Sequence, residues 1–188
     1  MRLFVYETAV EKAKGSLKKI WTALESVRCN DYMLKIKIIV VDRTRQPFLK
    51  KGESFYLDRL NRYARTEWVE VKGVSIKKGR SSEEIMAMEA AYIAKKILPR
   101  EYVVALDRSG KTCDSKGLAA RIDQTSLMHD RLTFIIGGPL GLSRDILSKV
   151  HWVFSLSQLT FTHEMSRLFL LEQLYRAFTI LNNEKYHK

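Results

Sequence analysis

Residues 131–143, RLTFIIGGPLGLS, carry a β-branched and aromatic run straight into three glycines and a proline. A short apolar run bounded by such residues is a strand meeting a tight turn. Glycines at that place bring a main chain close to something, because a residue without Cβ tolerates near contact and positive φ. Three partners are open: a phosphate, a different cofactor, or the next turn of the chain.

Outward from this junction, strands and helices take turns. Upstream, MLKIKIIVVD (33–42) alternates Leu34, Ile36, Ile38 and Val40 with Lys35 and Lys37 and reads as a strand. PFLKKGESFYLDRLNRYAR (47–65) predicts a helix with Phe48, Phe55, Leu60 and Tyr63 in the core, and WVEVKGVSI (68–76) a second strand. SSEEIMAMEAAYIAKKILP (81–99) predicts a helix opened by a capping box, Ser81 to Glu84, and closed by Pro99. EYVVALD (101–107) is a third strand, SKGLAARIDQTSL (115–127) a helix and RLTFIIGG (131–138) the fourth strand. RDILSKV (144–150) is a short helix, HWVFSLS (151–157) a fifth strand, and THEMSRLFLLEQLYRAFTILNN (162–183) a long final helix. Such alternation implies an α/β fold with a mostly parallel sheet and helices on both faces.

No repeat or linker divides residues 33–188, which read as one domain. Residues 1–32 differ: VEKAKGSLKKIWTALESV (10–27) is weakly helical and basic, without a signal-peptide core. They are expected to be an appended or mis-started extension, with the domain opening at Met33.

The 188 residues are 46% hydrophobic and 29% charged, a globular composition without an apolar stretch that would span a membrane. Against 21 acidic residues stand 33 lysines and arginines, a formal charge of +12. That excess favours a polyanion, nucleic acid before a membrane surface, because clustered cations displace phosphate counterions. The bland reading is a merely soluble basic protein. Cys29 and Cys113 make neither a disulfide framework nor a zinc site, so no metal is expected and a reducing cytosol is the default.

Two phosphate motifs are nearly present. ALDRSGKT (105–112) satisfies the loose P-loop spacing with Gly110, Lys111 and Thr112, which would make an ATP-binding protein. A true P-loop starts its helix at the lysine, whereas Asp114 or Ser115 is the N-cap signal here, so a plain turn is the stronger reading. GGPLG is not the dinucleotide fingerprint, and the next strand ends without a carboxylate for a ribose. What remains is a tight loop at the carboxyl end of a parallel strand, where open α/β sheets place ligands.

The loop after the fifth strand, SLSQLTFT (155–162), is rich in hydroxyls and small or apolar groups, with no charge until His163 and Glu164. Such a wall suits a neutral, planar ligand like an adenine and suits bare phosphate poorly. The final helix is apolar nearly all round, so it needs cover on more than one side, its own sheet for one and a second subunit for another. Arg167, Glu172 and Arg176, its charged exceptions, need partners or a ligand.

IGGPLGLS, then SLSQLTF with His163 after it, then LLEQLYRAF and the terminal YHK together resemble the RlmH family of SPOUT-class methyltransferases. The resemblance covers residues 33–188 and implies a C-terminal trefoil knot, a homodimer with a shared active site, and S-adenosylmethionine as methyl donor. It implies N3 of a pseudouridine in large-subunit (23S) ribosomal RNA, on the assembled ribosome, as substrate. By motif, the cofactor would lie against Leu106, Gly137 and Gly138, and Leu156, Ser157, Gln158, Leu159, Thr160 and Phe161. Family members commonly carry proline where Thr162 stands. His163 and Arg167 would be the catalytic pair, His163 as base or base-orienting group. Arg176, Tyr186, His187 and Lys188 would grip RNA across the dimer. A non-catalytic factor bound to ribosomal RNA is the other class that the charge allows.

Overall fold

The computed structural model describes residues 33–76 and 79–186; the expectation for residues 1–32 lies outside them. Five parallel strands stand in the order β2-β1-β4-β3-β5. They are β1 (Lys35–Val41), β2 (Arg65–Val71), β3 (Tyr102–Lys111), β4 (Arg131–Ile136) and β5 (Trp152–Phe154). The helices are α1 (Pro47–Leu60), α2 (Ser82–Ala94), α3 (Ser115–Ser126), α4 (Arg144–Lys149) and α5 (His163–Leu181). None of them is long and apolar enough to cross a membrane.

Both faces of the sheet are covered. Ile36, Ile38 and Val40 of β1 point to one side, into a layer with Leu60, Leu118, Ile122, Leu171, Leu174 and Phe178 from α1, α3 and α5. Ile39 and Val41 point to the other, onto Ala90, Ile93 and Ile146 of α2 and α4. Lys37 of β1 lies inside this doubly covered sheet. At 3% exposure its ammonium donates to the Lys96 carbonyl (2.9 Å) and to Glu101 (2.6 Å). The other oxygen of Glu101 accepts from the Leu98 N–H and from the Thr133 hydroxyl. A buried pair is tolerated when its remaining hydrogen-bonding capacity is filled in this way.

Helix α1 starts where predicted but ends at Leu60, and its predicted core holds in part, with Leu60 buried and Tyr63 packed against the core. Leu49 and Leu60 are buried, whereas Phe48 and Phe55 are 64% and 49% exposed. The capping box at Ser81 and Glu84 forms as read. The P-loop alternative fails: residues 105–111 continue β3, and α3 starts only after the Asp114 cap accepts from the Gly117 N–H at 2.7 Å. A Cβ on Gly110 would meet the Val153 main chain at 2.7 Å, so that glycine serves the approach of β5.

Candidate functional site

Three strand-end segments converge at the carboxyl edge of the sheet: 106–108 after the paired part of β3, 136–141 after β4, and 154–163 after β5. They enclose a cavity of about 640 Å³. Of the expected cofactor residues, Leu106, Gly137, Gly138, Leu156, Ser157, Leu159, Thr160 and Phe161 line it, and His163 stands at one end. Gln158 is exposed and is not part of the wall. Asp107, Arg108 and Ser155 join the wall without having been singled out from the sequence.

The glycine loop has a geometric explanation. Gly138 to Gly141 form a turn in which the Gly141 N–H donates to the Gly138 carbonyl at 3.0 Å. Proline at the second position and a positive-φ glycine at the fourth (+85° at Gly141) are the residues this kind of turn selects. A Cβ on Gly137 would lie 2.6 Å from the main chain of Gly141. The close partner of Gly137 is therefore the next turn of the chain, which shapes the cavity wall. A Cβ on Gly138 would meet Val41 Cγ1 at 3.2 Å and the Glu89 carboxylate at 3.3 Å.

Hydroxyls hold the loop after β5. The Ser155 N–H donates to the Lys111 carbonyl (3.1 Å), its hydroxyl to the Ser157 carbonyl (2.8 Å), and the Leu159 N–H to the Ser157 hydroxyl (3.0 Å). Thr162 caps α5 by accepting from the Met165 N–H at 3.2 Å. Its φ of −64° is one that proline also takes, so threonine keeps the loop's path and adds a cap.

His163 is the first residue of α5 and half-buried. Burial, with the Arg167 charge second, holds its imidazole below the usual histidine range, so it is neutral at pH 7. The positive end of the helix works in the same direction. Arg167 does not reach the cavity. It is 0% exposed and donates to Val41 O (2.6 Å) and to Thr44 Oγ1 (2.7 Å), while Thr44 donates onward to Glu53. Glu164, also buried, accepts from the N–H groups of Arg45 and Gln46. Arg167 therefore acts on the fold of the β1–α1 loop rather than as a group that touches substrate.

The expected RNA-gripping residues form a separate group. Arg176 pairs with Glu172 through Nε at 3.0 Å, and its guanidinium lies 4.8 Å from the Tyr186 ring, whose hydroxyl also reaches Glu172. His187 and Lys188 lie outside the described residues. Arg176 follows His163 by 13 positions on α5, roughly 20 Å along the axis at 1.5 Å per residue. Within one chain this group cannot share a nucleotide with the cavity. Among the described residues no group of three or more His, Cys, Asp or Glu is placed to hold a metal ion.

Comparisons with known proteins agree with this architecture. The family described as predicted SPOUT methyltransferase matches residues 34–187. Ribosomal RNA large subunit methyltransferase H of Thermotoga neapolitana is 41% identical over 154 residues, covering 82% of this chain and 99% of the relative. The protein of that name from Carboxydothermus hydrogenoformans is 40% identical over 159 residues, covering 82% and 100%. The crystal structure of a probable methyltransferase from Bordetella pertussis shares the fold, with a TM-score of 0.51 at 12% identity over 77% of this chain and 95% of that one. By family match and by identity along the whole length of its relatives, this chain belongs to the SPOUT methyltransferases.

Proposed function

We propose that the chain transfers a methyl group from S-adenosylmethionine to N3 of a pseudouridine in large-subunit ribosomal RNA, acting on the ribosome as a homodimer. The carrying observation is the convergence of three strand-end loops on one cavity in a chain of this family. The curated relatives are named for ribosomal RNA, and the +12 charge suits an RNA partner. Family membership supports a trefoil knot in the C-terminal half, and residues 1–32 stand outside the matched region as an extension.

The cavity fits the cofactor: its wall is main chain, small residues and hydroxyls, with Leu106, Leu156 and Phe161 as apolar surface. Main-chain groups at 137–141 and 156–161 would hold the adenine, and Asp107 and Arg108 would offer polar partners to ribose and carboxylate. When bound, the cofactor supplies an activated sulfonium methyl. The protein's work is then orientation, valued at roughly 7–11 kcal/mol in well-aligned intramolecular cases, and proton removal from N3. Neutral His163, at the cavity end, takes up that proton. Arg167 positions the loop beneath it.

Distance and surface support the dimer. Arg176 and Tyr186 serve a cavity only if it belongs to a second copy, given their roughly 20 Å separation from His163 in one chain. The exposed Phe48, Phe55 and Phe169 give α1 and α5 an apolar face for that copy. Calorimetry with S-adenosylmethionine and with ATP–magnesium, followed by labelled methyl transfer to ribosomes lacking the modification, tests the proposal. Low-micromolar binding of the first alone, about −8 kcal/mol, and label at N3 of a pseudouridine are expected. Ribosome binding without any cofactor affinity would instead make the chain a non-catalytic factor.

A further inference from the structure

A second cavity, of about 590 Å³, shares Pro139, Leu140 and His163 with the first but opens toward β1 and β2. Its position follows from topology. From β1 the chain leaves by α1 to β2 on one side, and from the adjacent β4 it leaves by α4 to β5 on the other. Neighbouring strands whose connections diverge open a crevice at their carboxyl ends, and open α/β sheets bind ligands there. The cavity is lined by Val41 and Asp42 from the end of β1 and by the Pro139–Leu140 turn after β4, at that divergence.

Glu89 of α2 lines this crevice. It is 4% exposed; Oε1 accepts the Val74 N–H at 3.0 Å, and Oε2 has no hydrogen-bond partner among the described residues. It forms no ion pair among them either. A carboxyl group buried this deeply is usually satisfied or functional. Gly138 lets it press against the glycine loop, one residue away from the first cavity.

We propose that this second cavity seats the target base, and that Glu89 donates a hydrogen bond from Oε2 to a carbonyl flanking the base's N3. The inference rests on the methyltransferase reading above. An imide base that loses its N3 proton carries the charge on its two flanking carbonyl oxygens. A donor already aimed at one of them stabilises that anion without blocking the nitrogen from the methyl. The proton leaves N3 for the imidazole of His163, which borders both cavities. The freed nitrogen pair forms the N–C bond as the C–S bond breaks, the sulfur keeps that bond's electrons as a neutral thioether, and Glu89 retains its proton.

The surroundings disfavour the ionised form of Glu89. Burial pushes its carboxyl above the usual carboxylate range; the Val74 N–H works against this, and the nearby Asp42 charge adds to the rise. Around the crevice stand Asp42 at the end of β1, Arg45 in the following loop, and His163 and Glu164 on α5. Arg45 is exposed and already paired with Asp42 at 2.8 Å.

The experiment compares Glu89→Gln, which keeps a donor and an acceptor, with Glu89→Met, which keeps bulk and loses both. Turnover on unmodified ribosomes, cofactor affinity and melting temperature are measured from pH 6.5 to 9. Glu89→Gln should stay within about fivefold of wild type. Glu89→Met should lose on the order of 10²-fold in turnover, the usual cost of one such donor, with cofactor affinity kept. Its deficit should shrink as rising pH ionises N3 without help, a recovery that a purely structural role would not give. Wild-type turnover in Glu89→Met overturns the proposal, as does a Glu89→Gln protein that binds cofactor and is as slow as Glu89→Met. Should Glu89→Met fail to fold, the Glu89→Gln result decides alone. An unmodified ribosome that even the wild-type chain leaves untouched would refute the underlying methyltransferase reading instead.

Discussion

One methyl group added at Gly137 is a sharp test of the cavity wall. A Cβ there lies 2.6 Å from the carbonyl carbon and oxygen of Gly141 and 3.1 Å from its Cα, while ordinary contact begins at 3.4 Å. The Gly138–Gly141 turn must open by roughly 0.8 Å to accept it. What must yield is main chain, closed by the 3.0 Å bond between the Gly141 N–H and the Gly138 carbonyl. Overpacking of this kind costs about 1–3 kcal/mol, and a weakened hydrogen bond about 1 more. A loss of about 2–4 kcal/mol is expected for Gly137→Ala, a fall of about 4–16 °C in melting temperature for a domain of this size. Because residues 137–141 form one wall of the first cavity, the shift should weaken cofactor binding at least tenfold. A displacement near 1 Å can cost turnover on the order of 10²-fold.

Gly138→Ala is the natural comparison. Its Cβ meets only side-chain atoms of Val41 and Glu89, at 3.2 and 3.3 Å, which can move by a few tenths of an ångström. Cofactor affinity should change less than threefold, and turnover should fall further than affinity because Glu89 is the group displaced. Calorimetric titration, scanning calorimetry and amide exchange at Gly141 give the readings. Wild-type melting and affinity in Gly137→Ala would refute the geometry. Lost affinity with the Gly141 amide still protected would refute the mechanism, since the methyl would then be filling cofactor space with the turn intact.

Arg167→Met should cost about 3–5 kcal/mol in urea unfolding, because Val41 O and Thr44 Oγ1 lose their donor inside the fold; a loss below 1 kcal/mol would mean the contacts are dispensable. The acid limb of kcat/KM should lie below pH 6.5, since His163 must be neutral to take a proton and its folded value is depressed by burial. Activity therefore falls as pH drops through that lowered value, and an unchanged acid limb in His163→Ala would assign it to another group. Removing Tyr186, His187 and Lys188 should leave cofactor affinity intact while turnover on ribosomes drops steeply; loss of both would make the tail a support of the fold.

The alternation of strands and helices was legible because each period is local: β1, α2, α3, β4 and α5 begin within two residues of where the pattern puts them. The cavity wall was also legible, since strand-end loops carry glycines and hydroxyls that strand interiors avoid. Sidedness was harder. Phe48 and Phe55 read as core by hydrophobicity alone, yet the apolar face of a helix can wait for another surface. Glu89 did leave a signal, standing on the i, i+4, i+8 line between Ile85 and Ile93 that faces the core. A carboxyl on such a line is either satisfied or functional, and only the crevice shows which. The resemblance set Gly137 against the cofactor, whereas its close partner is four residues away, in a turn whose path the sequence does not specify.

The charges on α5 explain how one histidine can serve two cavities. Glu164 accepts from the main chain of Arg45 and Gln46, and Arg167 donates to Val41 and Thr44, so both side chains tie the start of α5 to the end of β1. β1 is an interior strand, hydrogen-bonded on both edges, and among the least yielding parts of the sheet. The segment just before α5 has the opposite character: residues 155–162 are held mainly by their own hydroxyls, and Gln158, Leu159 and Thr160 are exposed. In the proposed reading, residues 156–161 can therefore adjust to a cofactor without moving His163, which is tied to the strand that borders the second cavity. Arg167 was the plausible catalytic cation from its place beside the motif. Its burial makes it more useful as the tie that keeps the proton acceptor still.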